Sequence, residues 1–445
     1  MGSTMDSTPA TSALFRDLLG QAVDGGAKVA PELAQQGLKC IERGEAAPVP
    51  ATAFLTALRL RGLLRADPVE LEAVLGHRPP VVVAPEMQAA LDRVMDGQAL
   101  TPEMAQAAFD RIMDGGVPDA ALAAFLTALH MRGESAGELE AAVRAMRARM
   151  IAVPGMPDDA IDVCGTGGDG LGTLNVSTAV AFVLAALGVP VVKHGNRALS
   201  SRSGATDVLL ELDVPLPVEP ARIGGMVERH GLAFLAATNH HPAMRHVGAV
   251  RRALGFRTIF NLVGPLCNPA RVTRQMVGVF SPDWLETMVR ALQATGSTHV
   301  WAISGDCGQG RFIDELTLAG PTRACVLEGG QVHAVDVDAA AAGLEPAPIS
   351  AIAGGPPAHN AQALQALARG ARGAYRDTVL LNAGVALHVA GRGSTIIRGG
   401  AIDYAALRGN IRLAADALDR GAVAAVLEAV RSFRTDVPNR VCLLY

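Results

Sequence analysis

The run Ala53-Phe54-Leu55-Thr56-Ala57-Leu58 recurs as Ala124 to Leu129, at an offset of 71 residues. The same offset pairs Pro31-Glu32-Leu33-Ala34-Gln35 with Pro102-Glu103-Met104-Ala105-Gln106, Ile41 with Ile112, Gly44 with Gly115, and Arg61-Gly62 with Arg132-Gly133. The first copy then carries three extra residues before Glu70-Leu71-Glu72 meets Glu138-Leu139-Glu140. A repeat of this kind is one supersecondary unit used twice. In the second copy Thr101 stands as an N-cap before Pro102, and Met104, Ala108 and Ile112 follow at helical spacing. Gly115-Gly116 closes that helix; Ala120 to Met131 and Gly137 to Met150 read as the next two. His77-Arg78-Pro79-Pro80 reads as the linker between the copies.

After Pro154-Gly155 the period changes. Short β-rich runs (Ile161 to Cys164, Val189 to Lys193, Gln275 to Phe280, His299 to Ser304) alternate with helical ones (Ser177 to Leu187, Ala205 to Leu212, Pro282 to Ala294). Such alternation predicts β-α-β units and a mostly parallel central sheet covered by helices. The expected division is an extra helical unit over 1–80, a helical domain over 81–155 and a larger α/β domain over 156–445. Ligands of such sheets bind beyond the carboxyl ends of the strands, so the loops after Cys164 and Lys193 matter most.

Charge and composition narrow the partners. A formal net charge of −4 and 4% aromatic residues give neither the positive field nor the stacking surface of a nucleic-acid binder. Cys40, Cys164, Cys267, Cys307, Cys325 and Cys442 are scattered without metal or disulfide spacing, which predicts reduced thiols. Met1 to Gly20 lacks the pattern of a secretory leader, and no apolar stretch reaches membrane-spanning length. The expectation is a cytoplasmic protein with no nucleic-acid or membrane partner.

Four motifs carry chemistry. Gly165-Thr166-Gly167-Gly168-Asp169-Gly170 follows a strand, where bare backbone N–H groups can form an anion nest. Asn175-Val176-Ser177-Thr178 then opens a helix, whose N-terminus suits phosphate. Lys193-His194-Gly195-Asn196-Arg197 ends the next strand and runs into Ser200-Ser201; charged groups there call for a counter-charge, which phosphate oxygens supply. Two such loops on successive strands predict a ligand with at least two phosphate groups. Asp314-Glu315 is an adjacent carboxylate pair suited to Mg²⁺ beside a polyphosphate. Asn239-His240-His241-Pro242-Ala243-Met244-Arg245-His246 lacks zinc spacing and reads as a polar pocket or helix entry, followed by Arg251-Arg252 and Arg257 on a helical pattern.

From about Leu91 to Phe433 these strings, GTGGDG, NVST, KHGNR, HHPAM, RTIFNLVGP and DEL, resemble the anthranilate phosphoribosyltransferase family. The resemblance implies a small helical domain joined to an α/β domain, substrates meeting between them, a requirement for Mg²⁺, and a homodimer formed through the helical domain. It implies contacts to 5-phosphoribosyl-1-diphosphate from Gly165, Gly168, Asp169, Thr173, Asn175, Val176, Ser177 and Thr178. The wrapping loop would add Lys193, His194, Gly195, Asn196, Arg197, Ala198, Leu199, Ser200 and Ser201. It implies an anthranilate site at Gly165, Asn196, His241 and Arg251, and Mg²⁺ ligands at Ser177, Asp314 and Glu315. Lys193, Arg251, Asp314 and Glu315 would carry catalysis: Lys193 and the metal at the departing diphosphate, Arg251 at the acceptor carboxylate.

The chain departs from that pattern in places. Ala205 stands where the family usually has a serine, Cys307 to Phe312 and Ile396 to Tyr404 are long, and the duplicated helical unit is additional. Two other readings remain at this level. One is a related phosphoribosyltransferase or nucleoside phosphorylase, against which Val163-Cys164 stands where the latter carry Lys-His. The other is a nucleic-acid-binding relative, against which the charge counts. The duplication is either a tolerated addition packed on neighbouring helices or a cover over the surface used for dimerisation.

Overall fold

Among the described residues, eight helices form the amino-terminal stretch, in two matching sets of four. The first set is α1 (Ala13–Asp24), α2 (Pro31–Glu42), α3 (Pro48–Leu60) and α4 (Pro68–Leu75); the second is α5 (Pro85–Met95), α6 (Pro102–Met113), α7 (Asp119–Arg132) and α8 (Ala136–Arg149). These come from a computed structural model that describes residues 11–25, 29–197 and 203–433. α2, α3, α4, α5 and α6 each open on a proline, whose fixed φ and missing N–H cost nothing at a first helical position. The hydroxyl of Thr101 accepts the Met104 N–H at 3.3 Å, the cap expected from the sequence. In α3 every residue from Val49 to Leu58 is buried, as is every one from Ala120 to Leu129 in α7. The threonines among them return their hydroxyls to their own helices: Thr56 to the Thr52 carbonyl at 2.8 Å, Thr127 to that of Ala123 at 2.7 Å. The helical unit also takes in residues 243–263, whose helix Arg245–Leu254 packs on α3, α6 and α7.

The second unit, residues 150–242 and 264 onward, is built on one sheet. Its strands are β1 (Ile161–Gly165), β2 (Val191–Gly195), β3 (Leu232–Ala236), β4 (Arg274–Gly278), β5 (His299–Asp306), β6 (Phe312–Ile313), β7 (Thr322–Glu328) and β8 (Gln331–Val337). Their order is β3-β2-β1-β4-β5-β7-β8, with β6 beside β5. The first five run parallel, and β7 and β8 are antiparallel, so the expected mostly parallel sheet is present. β7 and β8 form a hairpin closed by Gly329-Gly330, both at positive φ, the backbone that a two-residue turn requires. The long segment after Ile396 forms a small hairpin of its own, Ile397–Arg398 with Ala401–Ile402. Among the described residues no helix is long and apolar enough to cross a membrane.

β2 and β3 lie on one side of β1, and β4 and β5 on the other, so the winding reverses at β1. That reversal is where parallel sheets open a crevice. Between β1 and β2 only Ile161 and Val191 are in register. Beyond them side chains fill the ladder. The Asp162 carboxylate accepts the His194 N–H at 3.1 Å, Asn268 donates to Asp162 and to the Val192 carbonyl, both at 2.8 Å, and the Lys193 ammonium donates to the Val163 carbonyl at 2.6 Å. Asp162→Ala would take a counter-charge from the buried Lys193 ammonium and the acceptor from two buried donors at once. Urea unfolding is expected to show a loss of about 3–5 kcal/mol, the cost of breaking a buried ionic network from one side.

Candidate active site

Asp314 and Glu315 follow directly on β6, and their stretch of chain crosses the carboxyl ends of three neighbouring strands. Each of those strands offers a glycine at the crossing. A Cβ on Gly278 (β4) would stand 1.6 Å from the Asp314 carbonyl oxygen, one on Gly165 (β1) 2.3 Å from an Asp314 carboxylate oxygen, and one on Gly305 (β5) 2.6 Å from the Glu315 carbonyl oxygen. Asn382 clamps the crossing chain from behind, accepting the Leu316 N–H at 3.0 Å and donating to the Leu316 carbonyl at 2.8 Å.

The two carboxylates reach opposite ends of one loop. Asp314 Oδ2 accepts the Gly167 N–H at 2.8 Å, inside a turn where Gly167 and Gly168 both have positive φ. Glu315 Oε1 accepts the Ser177 N–H at 2.9 Å, at the start of α9 (Val176–Ala186). The donors foreseen for a phosphate are thus partly engaged by acidic side chains. Burial pushes both carboxyls above their ordinary range, Glu315 to about 8 with the charge of Asp314 adding to it, while Lys193 pulls both back. A carboxylate pair of which Glu315 is buried and Asp314 half-buried, beside the Ser177 hydroxyl, offers the oxygen donors that a hard cation takes. Among the described residues no three His, Cys, Asp or Glu side chains gather into a metal cage; Mg²⁺ needs only one or two carboxylates, with ligand phosphates and water completing its shell.

Lys193 is 3% exposed. It lies beneath the loop as a counter-charge to Asp162, Asp314 and Glu315. Next to it, His194 Nδ1–H donates to the Gly264 carbonyl at 3.1 Å. That bond leaves Nε2 of His194 as an acceptor, facing His241 Nε2 at 3.2 Å. The tautomers follow: His241 donates and His194 receives. Both rings are buried, and burial holds both neutral, His241 at about 3 and His194 well below its ordinary value.

Asn175 caps α9 without giving its side chain to the helix. Its amide is committed elsewhere. The Gly355 N–H donates to Asn360 Oδ1 at 2.8 Å, so Asn360 presents its NH₂, which donates to Asn175 Oδ1 at 2.8 Å. Asn175 is therefore left with its own NH₂ outward, a donor ready for an anion. The Tyr375 hydroxyl donates to the Asn175 carbonyl at 3.1 Å, and Thr173 is bridged to Ala353. None of Asn360, Tyr375, Asn382, Gly278 or Gly305 stood out in the sequence. The one local signal near them, the Gly354-Gly355 pair, also passes without notice in the sequence; a Cβ on Gly354 would meet the Thr173 carbonyl oxygen at 2.4 Å.

Of the residues singled out by sequence, Gly165, Gly168, Asp169, Thr173, Asn175 and Ser177 line one run from β1 to α9, with Val176 and Thr178 buried behind it. Gly195 ends β2 and Asn196 and Arg197 follow it; Asn196 accepts the Arg197 N–H at 2.8 Å, and Arg197 Nε is 3.9 Å from Asp207. Ala198, Leu199, Ser200 and Ser201 lie outside the described residues. Ala205 opens the helix Ala205–Glu211, and its methyl would be 3.3 Å from any Cβ placed on Gly195. Arg251 belongs to the helical unit. Its guanidinium lies 6.0 Å from the Phe260 ring centroid, desolvation lowers its pKa to about 10, and among the described residues it pairs with no carboxylate.

A helical bundle and a β/α sheet in one chain, with an acidic pair over a glycine-rich turn, match a group-transfer enzyme of the glycosyl transferase type. The sequence pattern of the glycosyl transferase family's helical bundle domain matches residues 88–150, and that of its a/b domain matches residues 157–424. The chain is 55% identical over 351 residues to an anthranilate phosphoribosyltransferase of Gluconobacter oxydans, covering 79% of this chain and 96% of the relative. It is 47% identical over 357 residues to one of Methylocella silvestris, covering 80% and 97%. The crystal structure of anthranilate phosphoribosyltransferase from Thermus thermophilus is similar with a TM-score of 0.68 at 39% identity, over 77% of this chain and 98% of that one. The Saccharomyces cerevisiae enzyme in complex with PRPP and Mg shares the fold with a TM-score of 0.67 at 24% identity, over 78% and 97%. The chain belongs to the anthranilate phosphoribosyltransferase family.

The histidine pair sets a pH dependence. Both groups have folded pKa values below the ordinary 6.5, so the unfolded chain takes up protons first as pH falls. Their stabilisation is complete above about pH 6.5 and is lost progressively towards pH 3. Thermal unfolding of His241→Gln is expected to fall less steeply than wild type between pH 6.5 and 4.5; parallel curves would refute the neutral pair.

Proposed function

We propose that this chain transfers the phosphoribosyl group of 5-phosphoribosyl-1-diphosphate to the amine of anthranilate, giving N-(5-phosphoribosyl)anthranilate and diphosphate in tryptophan biosynthesis. The observation that carries the proposal is the Asp314-Glu315 pair, laid over the Gly165–Gly170 turn and held against the start of α9. The high identity to relatives of that name supports the substrate pair. Mg²⁺, held by Asp314, Glu315 and the Ser177 hydroxyl, would neutralise charge on the departing diphosphate.

This chain's own groups do the rest. The outward NH₂ of Asn175 and the N–H groups of the glycine-rich turn bind diphosphate oxygens. Lys193 acts through its buried charge, offsetting part of the cost of ionising the acidic pair, rather than by reaching the ligand. The aromatic amine of anthranilate carries a free lone pair, so positioning supplies much of the rate and no strong base is required. Arg251, without a carboxylate partner among the described residues, reads the acceptor's carboxylate with its two-pronged guanidinium. The same proposal places the enzyme in the cytoplasm, in keeping with free thiols at Cys40, Cys164, Cys267, Cys307 and Cys325.

Loss of anthranilate fluorescence in the presence of 5-phosphoribosyl-1-diphosphate and Mg²⁺ tests the reaction; no loss with the wild-type chain would refute it. Asp314→Ala is expected to slow turnover by about 10²-fold or more. Arg251→Ala should raise the anthranilate KM by about 10-fold or more, and an unchanged KM would remove Arg251 from the acceptor site. Asn360→Asp leaves Asn360's position without a donor and turns the Asn175 amide round. It should raise the KM for 5-phosphoribosyl-1-diphosphate with little effect on that for anthranilate.

A further inference from the structure

Within the helical unit the two repeats face each other. α3 packs against α7, its counterpart at the offset of 71, and the flanking contacts are reciprocal: α1 reaches α7, and α5, the counterpart of α1, reaches α3. Contacts returned in this way are the mark of an isologous interface, by which two identical chains meet across a two-fold axis. Here both sides belong to one chain.

Burial says what this pairing accomplishes. Ten consecutive residues of α7, Ala120 to Leu129, are buried, and so are their ten counterparts in α3. A helix apolar on every side needs cover on every side. The first repeat supplies part of the cover of α7, and without it an Ala- and Leu-rich strip would face water. The sequence pattern of the family's helical bundle spans 88–150, the second repeat alone.

The first repeat has also been trimmed selectively. Its α1, α2 and α3 keep nearly the lengths of α5, α6 and α7, whereas α4 has 8 residues against 14 in α8. In the second repeat α8 packs on α6 and on the helix Ile259–Val263. The first repeat thus retains its pairing helices and has a shortened version of the one that serves the rest of the unit. Asp24 of α1 adds a polar contact, 3.3 Å from His130 Nε2 of α7.

We propose that the first repeat, residues 13–75, is a built-in partner: it occupies the α5–α7 face that would otherwise take a second copy of the chain, and the enzyme is a monomer with an internal pseudo-dimer. The homodimer implied by family resemblance is replaced, in this chain, by a contact within it.

Sedimentation equilibrium of the full chain between about 1 and 100 μM is expected to give the monomer mass of 45.9 kDa; a dimer overturns the proposal. A full-length Gly37→Leu variant then uncovers the face. A Cβ on Gly37 would lie 2.1 Å from the Phe54 ring, so leucine there unseats α3 without changing the second repeat. The variant is expected to double in mass while keeping a cooperative thermal transition. If limited proteolysis shows the first repeat released and the mass remains that of a monomer, the proposal fails. Should Gly37→Leu not fold, the full chain cut at a protease site built into residues 79–83 gives the same reading. Pairing on release of the fragment supports the proposal, and release without pairing overturns it.

Discussion

One ammonium group, that of Lys193, is shared among three carboxylates. Asp162 faces it within the parted strands, and Asp314 and Glu315 face it from the chain crossing above. Burial drives each of those carboxylates towards its neutral form, and the lysine offsets part of that drive; a neutral pair has little hold on a cation. The strands beneath the acidic pair are arranged around this balance. β1 and β2 separate beyond their first paired residues to admit the lysine, and Asn268 and the His194 N–H complete the bonds that the ladder gave up.

Backbone space is the second constraint. The acidic pair can lie over the sheet only because Gly165, Gly278 and Gly305 bring no Cβ to the ends of three adjacent strands. This changes the meaning of Gly165. Its bareness, which resemblance assigns to substrate contact, is already taken up by the carboxylate of Asp314, so its first task is to position an acidic group.

The repeat and the parallel strands were legible because each is written locally. The offset of 71 reappears as matched helices, and short β-rich runs such as Ile161 to Cys164, alternating with helical ones, reappear as parallel strands. The β7–β8 hairpin escaped notice because β8 is a half-exposed edge, Gln331–Val337, without a continuous apolar run. The site divided along the same line. The residues of each loop were legible, but their pairings were not: Ser177 with Glu315 spans 138 positions and Asn175 with Asn360 spans 185. At the end of a strand, Lys193 suggests a ligand phosphate as its counter-charge; only the parting of β1 and β2 shows why it turns inward to carboxylates.

Joining two like bundles in one chain changes the rules under which their contact evolves. Across a true two-fold axis any substitution occurs on both sides at once, so a charge placed near the axis meets itself. Here the sides differ freely: His130 of α7 meets Asp24 of α1, while its counterpart in α3 is Arg59, which lies 3.7 Å from Asp67 within its own repeat. The tether also removes dilution from the equilibrium, because the partner's effective concentration is set by the short linker and not by how much enzyme the cell makes. Cover for α7 is thus as complete at the first molecule synthesised as at the thousandth.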